Sequence, residues 1–139
     1  DPDPFHHDSR RFEVATSCVP LMAGLRCSLD LLEQEGSDGD RLERIRTLSE
    51  QLWRDLQSLG GISPLLEGPP PAGLVSFQMH PEATRATPSE VVKALGTKQI
   101  WIRDLADPIC LRACTHVCTN HSDMAQLIDQ IQMLSAMGS

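Results

Sequence analysis

Leu74-Val75-Ser76-Phe77-Gln78-Met79, followed after a break by Thr87-Pro88-Ser89-Glu90-Val91-Val92-Lys93-Ala94-Leu95, is the stretch that decides the fold. In its first half Val75, Phe77 and Met79 alternate with Ser76 and Gln78, the period of two that sets one side of a strand against a core. In its second half Thr87 and Glu90 have capping-box spacing, Pro88 stands at the first helical position, and Val91, Val92 and Leu95 recur as on a helix. A strand gives way to a short helix.

Upstream, Gly68-Pro69-Pro70-Pro71 marks a loop, because each proline lacks a backbone donor and biases its predecessor towards extended geometry. Two helices precede it. From Val19 to Glu35, Leu21, Leu25, Leu29 and Leu32 recur at helical spacing, with Gly36 placed as a left-handed stop. The next, opened by Asp38 or Asp40, puts Leu42, Ile45, Leu48, Leu52, Leu56 and Leu59 on one stripe and stops at Gly60-Gly61. Downstream, Gln99 to Arg103 and Cys110 to Val117 read as strands around a turn at Asp107-Pro108. A last helix from near Asn120 buries Met124, Leu127, Ile128, Ile131 and Leu134. No internal repeat is visible, and strands and helices do not alternate regularly as in a large parallel sheet. The expected fold class is α+β: a two-layer sandwich with helices on one face of a small, mainly antiparallel sheet.

A chain of 139 residues fits a single domain spanning 1–139. Its 12 basic and 19 acidic residues leave a net charge of −7, and without a Lys/Arg run a nucleic-acid partner is not expected. No apolar run approaches the roughly 20 residues that span a bilayer, and the charged start, Asp1 to Arg11, is unlike a secretory signal. Five cysteines without framework spacing suggest free thiols in a reducing cytoplasm, and no membrane partner is expected.

The last strand carries the most reactive side chains. Strand alternation would place Cys110, Arg112, Cys114, His116 and Cys118 on one face and Leu111, Ala113, Thr115 and Val117 on the other. Thiolates at Cys110, Cys114 and Cys118 with His121 match zinc in chemistry but not in spacing, since positions four apart on a strand lie about 13 Å apart. Small cysteines packing a sheet is the preferred reading, so no metal site is assigned. Cys110 or Cys114 could gain nucleophilic character beside Arg112 and His116, yet an inert half-buried thiol is favoured. His6, His7, His80 and His121 read as solvated loop residues.

Arg103 and Arg112 stand among Ile100, Ile102, Leu111 and Ala113, where an unpaired guanidinium would be costly to desolvate. Two arginine forks converging from adjacent strands suit a carboxylate ligand such as that of an amino acid. Pairing with Asp104, Asp107 or Glu13 is an equally open alternative.

At these residues the chain resembles the C-terminal small domain of fold-type-I pyridoxal-phosphate (PLP) enzymes of the class V aminotransferase and cysteine desulfurase superfamily. Arg11-Phe12-Glu13-Val14-Ala15-Thr16, with Pro20 and Gly24-Leu25, is similar to the segment entering that domain. Gly73-Leu74-Val75-Ser76-Phe77 is similar to its G-x-V-S-F strand, and Ile102-Arg103 and Leu111-Arg112-Ala113 to its two arginine strands. The resemblance runs from about Arg10 to Leu134, and the order of four motifs makes it specific. It implies that Arg112 binds the substrate α-carboxylate, that Arg103 is a second active-site arginine, and that Thr16 reaches the cofactor phosphate of a neighbouring subunit in a homodimer.

Cysteine desulfurases carry their persulfide-forming cysteine on a longer loop between the two arginines, whereas only Asp104 to Leu111 lie between them here. The short interval and the Cys-x-Arg-Ala-Cys strand look more like the cyanobacterial cysteine/cystine carbon–sulfur lyase, which eliminates on the cofactor itself. The resemblance therefore implies the substrate-binding small domain of a PLP-dependent lyase acting on cysteine or cystine, without the large cofactor domain. The family's Schiff-base lysine has no counterpart, because Lys93 and Lys98 are the only lysines and neither has its context. The chain alone is expected to hold no cofactor and to be inactive. The alternatives are the same domain from a desulfurase, aminotransferase or epimerase, and a non-catalytic module binding a partner protein.

Overall fold

A computed structural model describes residues 6–13 and 18–136. The chain divides into two compact units, Asp1–Ser37 and Asp38–Ser139. In the first, a 3-10 turn at Ser9–Phe12 is capped by the Asp8 side chain, which accepts from the Arg10 backbone N–H and pairs with its guanidinium at 2.7 Å. Helix α1, Val19–Gln34, follows with Pro20 in its first turn. Gly36 takes φ +127, the positive backbone angle at which glycine is favoured after a helix. The predicted leucine stripe is there, but Leu21, Leu25, Leu29 and Leu32 are all exposed.

The second unit holds α2 (Asp38–Gln57), β1 (Ile62–Pro64), β2 (Leu74–Met79), α3 (Pro88–Gly96), β3 (Arg103–Ala106), β4 (Ile109–Cys114) and α4 (His121–Ala136). The four strands form one antiparallel sheet in the order β1-β2-β4-β3. Register pairs Val75 with Ala113 and Phe77 with Leu111, so these four buried side chains share one face. Against it lie Leu48, Leu52 and Leu56 of α2, Val91 and Leu95 of α3, and Met124, Leu127 and Ile131 of α4. The two-layer α+β sandwich expected from the sequence is the observed fold.

The strand boundaries differ from expectation. Residues 99–102 are not a strand; the hairpin begins at Arg103, turns at the cis Asp107–Pro108 peptide and returns through Ile109. β4 ends at Cys114, so His116 and Cys118 lie beyond it in a turn. That turn is closed by Thr119 N–H to the His116 carbonyl and tied down by Arg44, whose Nε donates to the Val117 carbonyl at 2.8 Å. β1 was not anticipated: at three residues it is too short to show a period of two.

The proline loop docks on α2. Trp53 Nε1 donates to the Leu66 carbonyl at 3.0 Å, and Arg46 Nε to the Pro71 carbonyl at 2.9 Å. At its end Gly73 is buried, and its carbonyl accepts the Thr115 N–H at 2.8 Å. A Cβ there would stand 2.1 Å from the Thr115 carbonyl oxygen. Gly73→Ala must push β2 and the segment after β4 apart, at a cost of about 1–3 kcal/mol. Urea denaturation would show it, and an unchanged midpoint would contradict this close approach.

The capping box of α3 forms as predicted. Thr87 Oγ1 accepts the Glu90 N–H, and the Glu90 carboxylate accepts the Thr87 N–H at 2.8 Å. The Thr87 N–H, then its hydroxyl, and more weakly Lys93, hold the Glu90 carboxyl below its ordinary value of 4.5. A depressed carboxylate stabilises the fold above its unfolded-state value, and the contribution is lost as pH falls through the folded-state value. The melting-temperature difference between wild type and Glu90→Gln should therefore shrink between about pH 6 and pH 3. A difference that stays constant over that range would refute the coupling.

Candidate functional site

β4 is an inner strand with its partners on both sides in register: Ser76 of β2 stands opposite Arg112, and Arg112 stands opposite Arg103 of β3. Directly opposed residues point to the same side of an antiparallel pair. Ser76, Arg112 and Arg103 therefore form one row across three strands, on the face turned away from Val75, Phe77, Leu111 and Ala113. The core side chains hold the helices, and the row stands on the other face of the sheet.

Arg112 is half-buried and Arg103 exposed. This corrects the expectation that burial would force both to find an anion. The register instead sets two like-charged side chains on directly opposed positions, an arrangement that an anion would suit. Arg112 donates from Nε to Ser76 Oγ at 3.2 Å. Among the described residues neither arginine pairs with a carboxylate. The pleat explains why Asp104 does not serve: it stands opposite Leu111, one position out of phase with the arginines. Asp107 occupies the hairpin turn, and Glu13 lies in the other unit.

The other sequence candidates are not gathered at this row. Cys110 is 2% exposed and lines a cleft of about 270 Å³ with Gln78, His80 and Ile109. Cys114 is exposed at the end of β4; Cys118 is exposed in the turn, its Sγ 3.6 Å from His116 Nδ1. Cys110, Arg112, Cys114, His116 and Cys118 thus do not make the continuous reactive face that strand alternation suggested. His80, expected as a solvated loop residue, is half-buried, its Nε2 2.7 Å from Ser63 Oγ. Thr16 lies outside the described residues.

Ser76 is the member of the row that the sequence reading missed. Its parity on β2 was legible, but its position opposite Arg112 depends on a register between strands far apart in the chain. Lys93 lies on α3, which packs on the opposite face of the sheet, and Lys98 in the turn that follows it.

The chain is an α+β unit similar to part of a PLP-dependent carbon–sulfur lyase. It matches, in sequence as well as fold, part of the cystine C-S lyase C-DES. A C-DES variant with glycine covalently linked to its PLP cofactor superposes with a TM-score of 0.82 at 36% identity, over 90% of this chain and 32% of that one. C-DES in complex with its reaction product, cysteine persulfide, gives 0.82 at 34% identity, over 97% of this chain and 35% of that one. The chain thus spans about a third of the length of these enzymes. Mouse CSAD shares the fold alone, with a TM-score of 0.55 at 15% identity. No family model matches the chain, and no curated protein sequence does.

Proposed function

We propose that this chain is the substrate-carboxylate-binding part of a PLP-dependent carbon–sulfur lyase acting on cystine or cysteine. The observation that carries the reading is the Arg112–Arg103 pair, opposed across β4 and β3 without a carboxylate partner among the described residues. Arg112 takes the α-carboxylate in its guanidinium fork, and Arg103 adds positive charge from the neighbouring strand. Holding the carboxylate fixes the orientation of the Cα–H bond, which loses its proton, and of the Cβ–S bond, from which the sulfur then leaves in an elimination. PLP, when bound in the complete enzyme, supplies the electron sink for loss of the Cα proton.

The tight hairpin favours elimination over sulfur transfer through a protein thiol. β3 and β4 are joined by only Asp107 and Pro108, and Cys110 is buried, so the interval offers no mobile loop bearing a nucleophilic cysteine. The resemblance adds that Thr16 contacts the cofactor phosphate of a second subunit, so the proposal extends to a homodimer. Five free thiols suit a cytoplasmic setting. Among the described residues no helix is long and apolar enough to cross a membrane.

The test supplies cystine to the PLP-loaded enzyme that contains this chain. Elimination yields pyruvate, ammonia and cysteine persulfide in equal amounts. Alanine as the carbon product would mean sulfur transfer instead, and transfer of the amino group to a keto acid would mean transamination; either overturns the reading.

A further inference from the structure

Arg112 has five N–H donors, and the one nearest its stem is already used: Nε donates to Ser76 Oγ. A guanidinium can meet a carboxylate side-on, through Nε and one Nη, or end-on, through both Nη atoms. With Nε turned to Ser76, the side-on approach is occupied and the end-on fork is the one left open. Ser76 is well placed to hold this arrangement. It sits on β2, an inner strand flanked by β1 and β4, and its carbonyl accepts the Leu65 N–H at 2.9 Å. Its half-buried side chain stands directly opposite Arg112, so no long reach is needed. An arginine otherwise loses much rotamer freedom when it binds a ligand, and a fork fixed beforehand loses less.

We propose that Ser76 is a positioning residue for substrate recognition: its hydroxyl orients the Arg112 guanidinium so that the carboxylate is taken end-on. The inference rests on Arg112 being the carboxylate-binding residue.

Two substitutions of nearly equal shape separate positioning from packing. Ser76→Thr keeps a hydroxyl and Ser76→Val lacks it, while both branched side chains suit a strand. Two readouts are used. In 15N-resolved NMR of the 139-residue chain, the Arg112 Nε–H should exchange slowly with water in wild type and Ser76→Thr, and at least several-fold faster in Ser76→Val. In the PLP-loaded enzyme containing this chain, the dissociation constant of glycine, followed by cofactor absorbance, should rise about 3- to 10-fold in Ser76→Val and stay within about 2-fold in Ser76→Thr. Equal melting temperatures for the two variants would confirm that the hydroxyl, not the fold, is responsible. If Ser76→Val binds glycine as wild type does while Arg112→Ala does not, the positioning role fails and the carboxylate role of Arg112 stands. If Arg112→Ala also binds normally, both fail.

Discussion

Arg112→Ala is expected to lower kcat/KM for cystine by about 30- to 1000-fold in the PLP-loaded enzyme containing this chain, corresponding to about 2–4 kcal/mol of lost transition-state binding. The size follows from what would be removed: a half-buried charged fork whose Nε donates to Ser76 Oγ. Lysine at this position would keep the charge without the planar fork, so Arg112→Lys should recover only part of the loss. Arg103→Ala should cost less, because Arg103 is exposed on the edge strand and would contribute charge alone. Melting temperatures should change little, since neither guanidinium contributes to the core. An unaltered kcat/KM in Arg112→Ala would remove the carboxylate role.

Phe77→Ala is expected to destabilise the second unit by about 3–5 kcal/mol. Phe77 is wholly buried on β2, with Leu111 opposite it on one side and Pro64 on the other, and it belongs to the cluster that joins the sheet to three helices. Removing its ring leaves a cavity that strands pinned on both sides cannot close. Against a typical total of about 5–15 kcal/mol, such a loss would bring the unit close to unfolding at ordinary temperature. Urea denaturation should show a lower midpoint with an unchanged slope. A loss below about 1 kcal/mol would mean that the core is not centred on this strand.

The strand at Leu74–Met79, the capping box at Thr87–Glu90 and the stripe of α2 were legible because each signal is local: alternation, a fixed three-residue spacing, a repeated apolar step. The strand at 99–103 was misplaced for the same reason. Ile100 and Ile102 are partly buried against the core without belonging to the sheet, and apolar alternation alone does not distinguish the two situations. The Arg103 and Arg112 pair was visible as two guanidiniums near a turn. Their opposition was not, because it depends on hairpin register: one residue of slip would have set Arg112 against Asp104 and made an internal ion pair. Ser76 was hidden still more deeply, since its partner is on a strand that enters the sheet only after α3 and β3.

The most direct test is a crystal structure of the PLP-loaded enzyme containing this chain, with glycine bound as an unreactive substrate mimic. Both carboxylate oxygens should lie about 2.7–2.9 Å from the Nη atoms of Arg112, with Nε still donating to Ser76. A carboxylate held by other groups, with Arg112 turned away from it, would contradict the assignment.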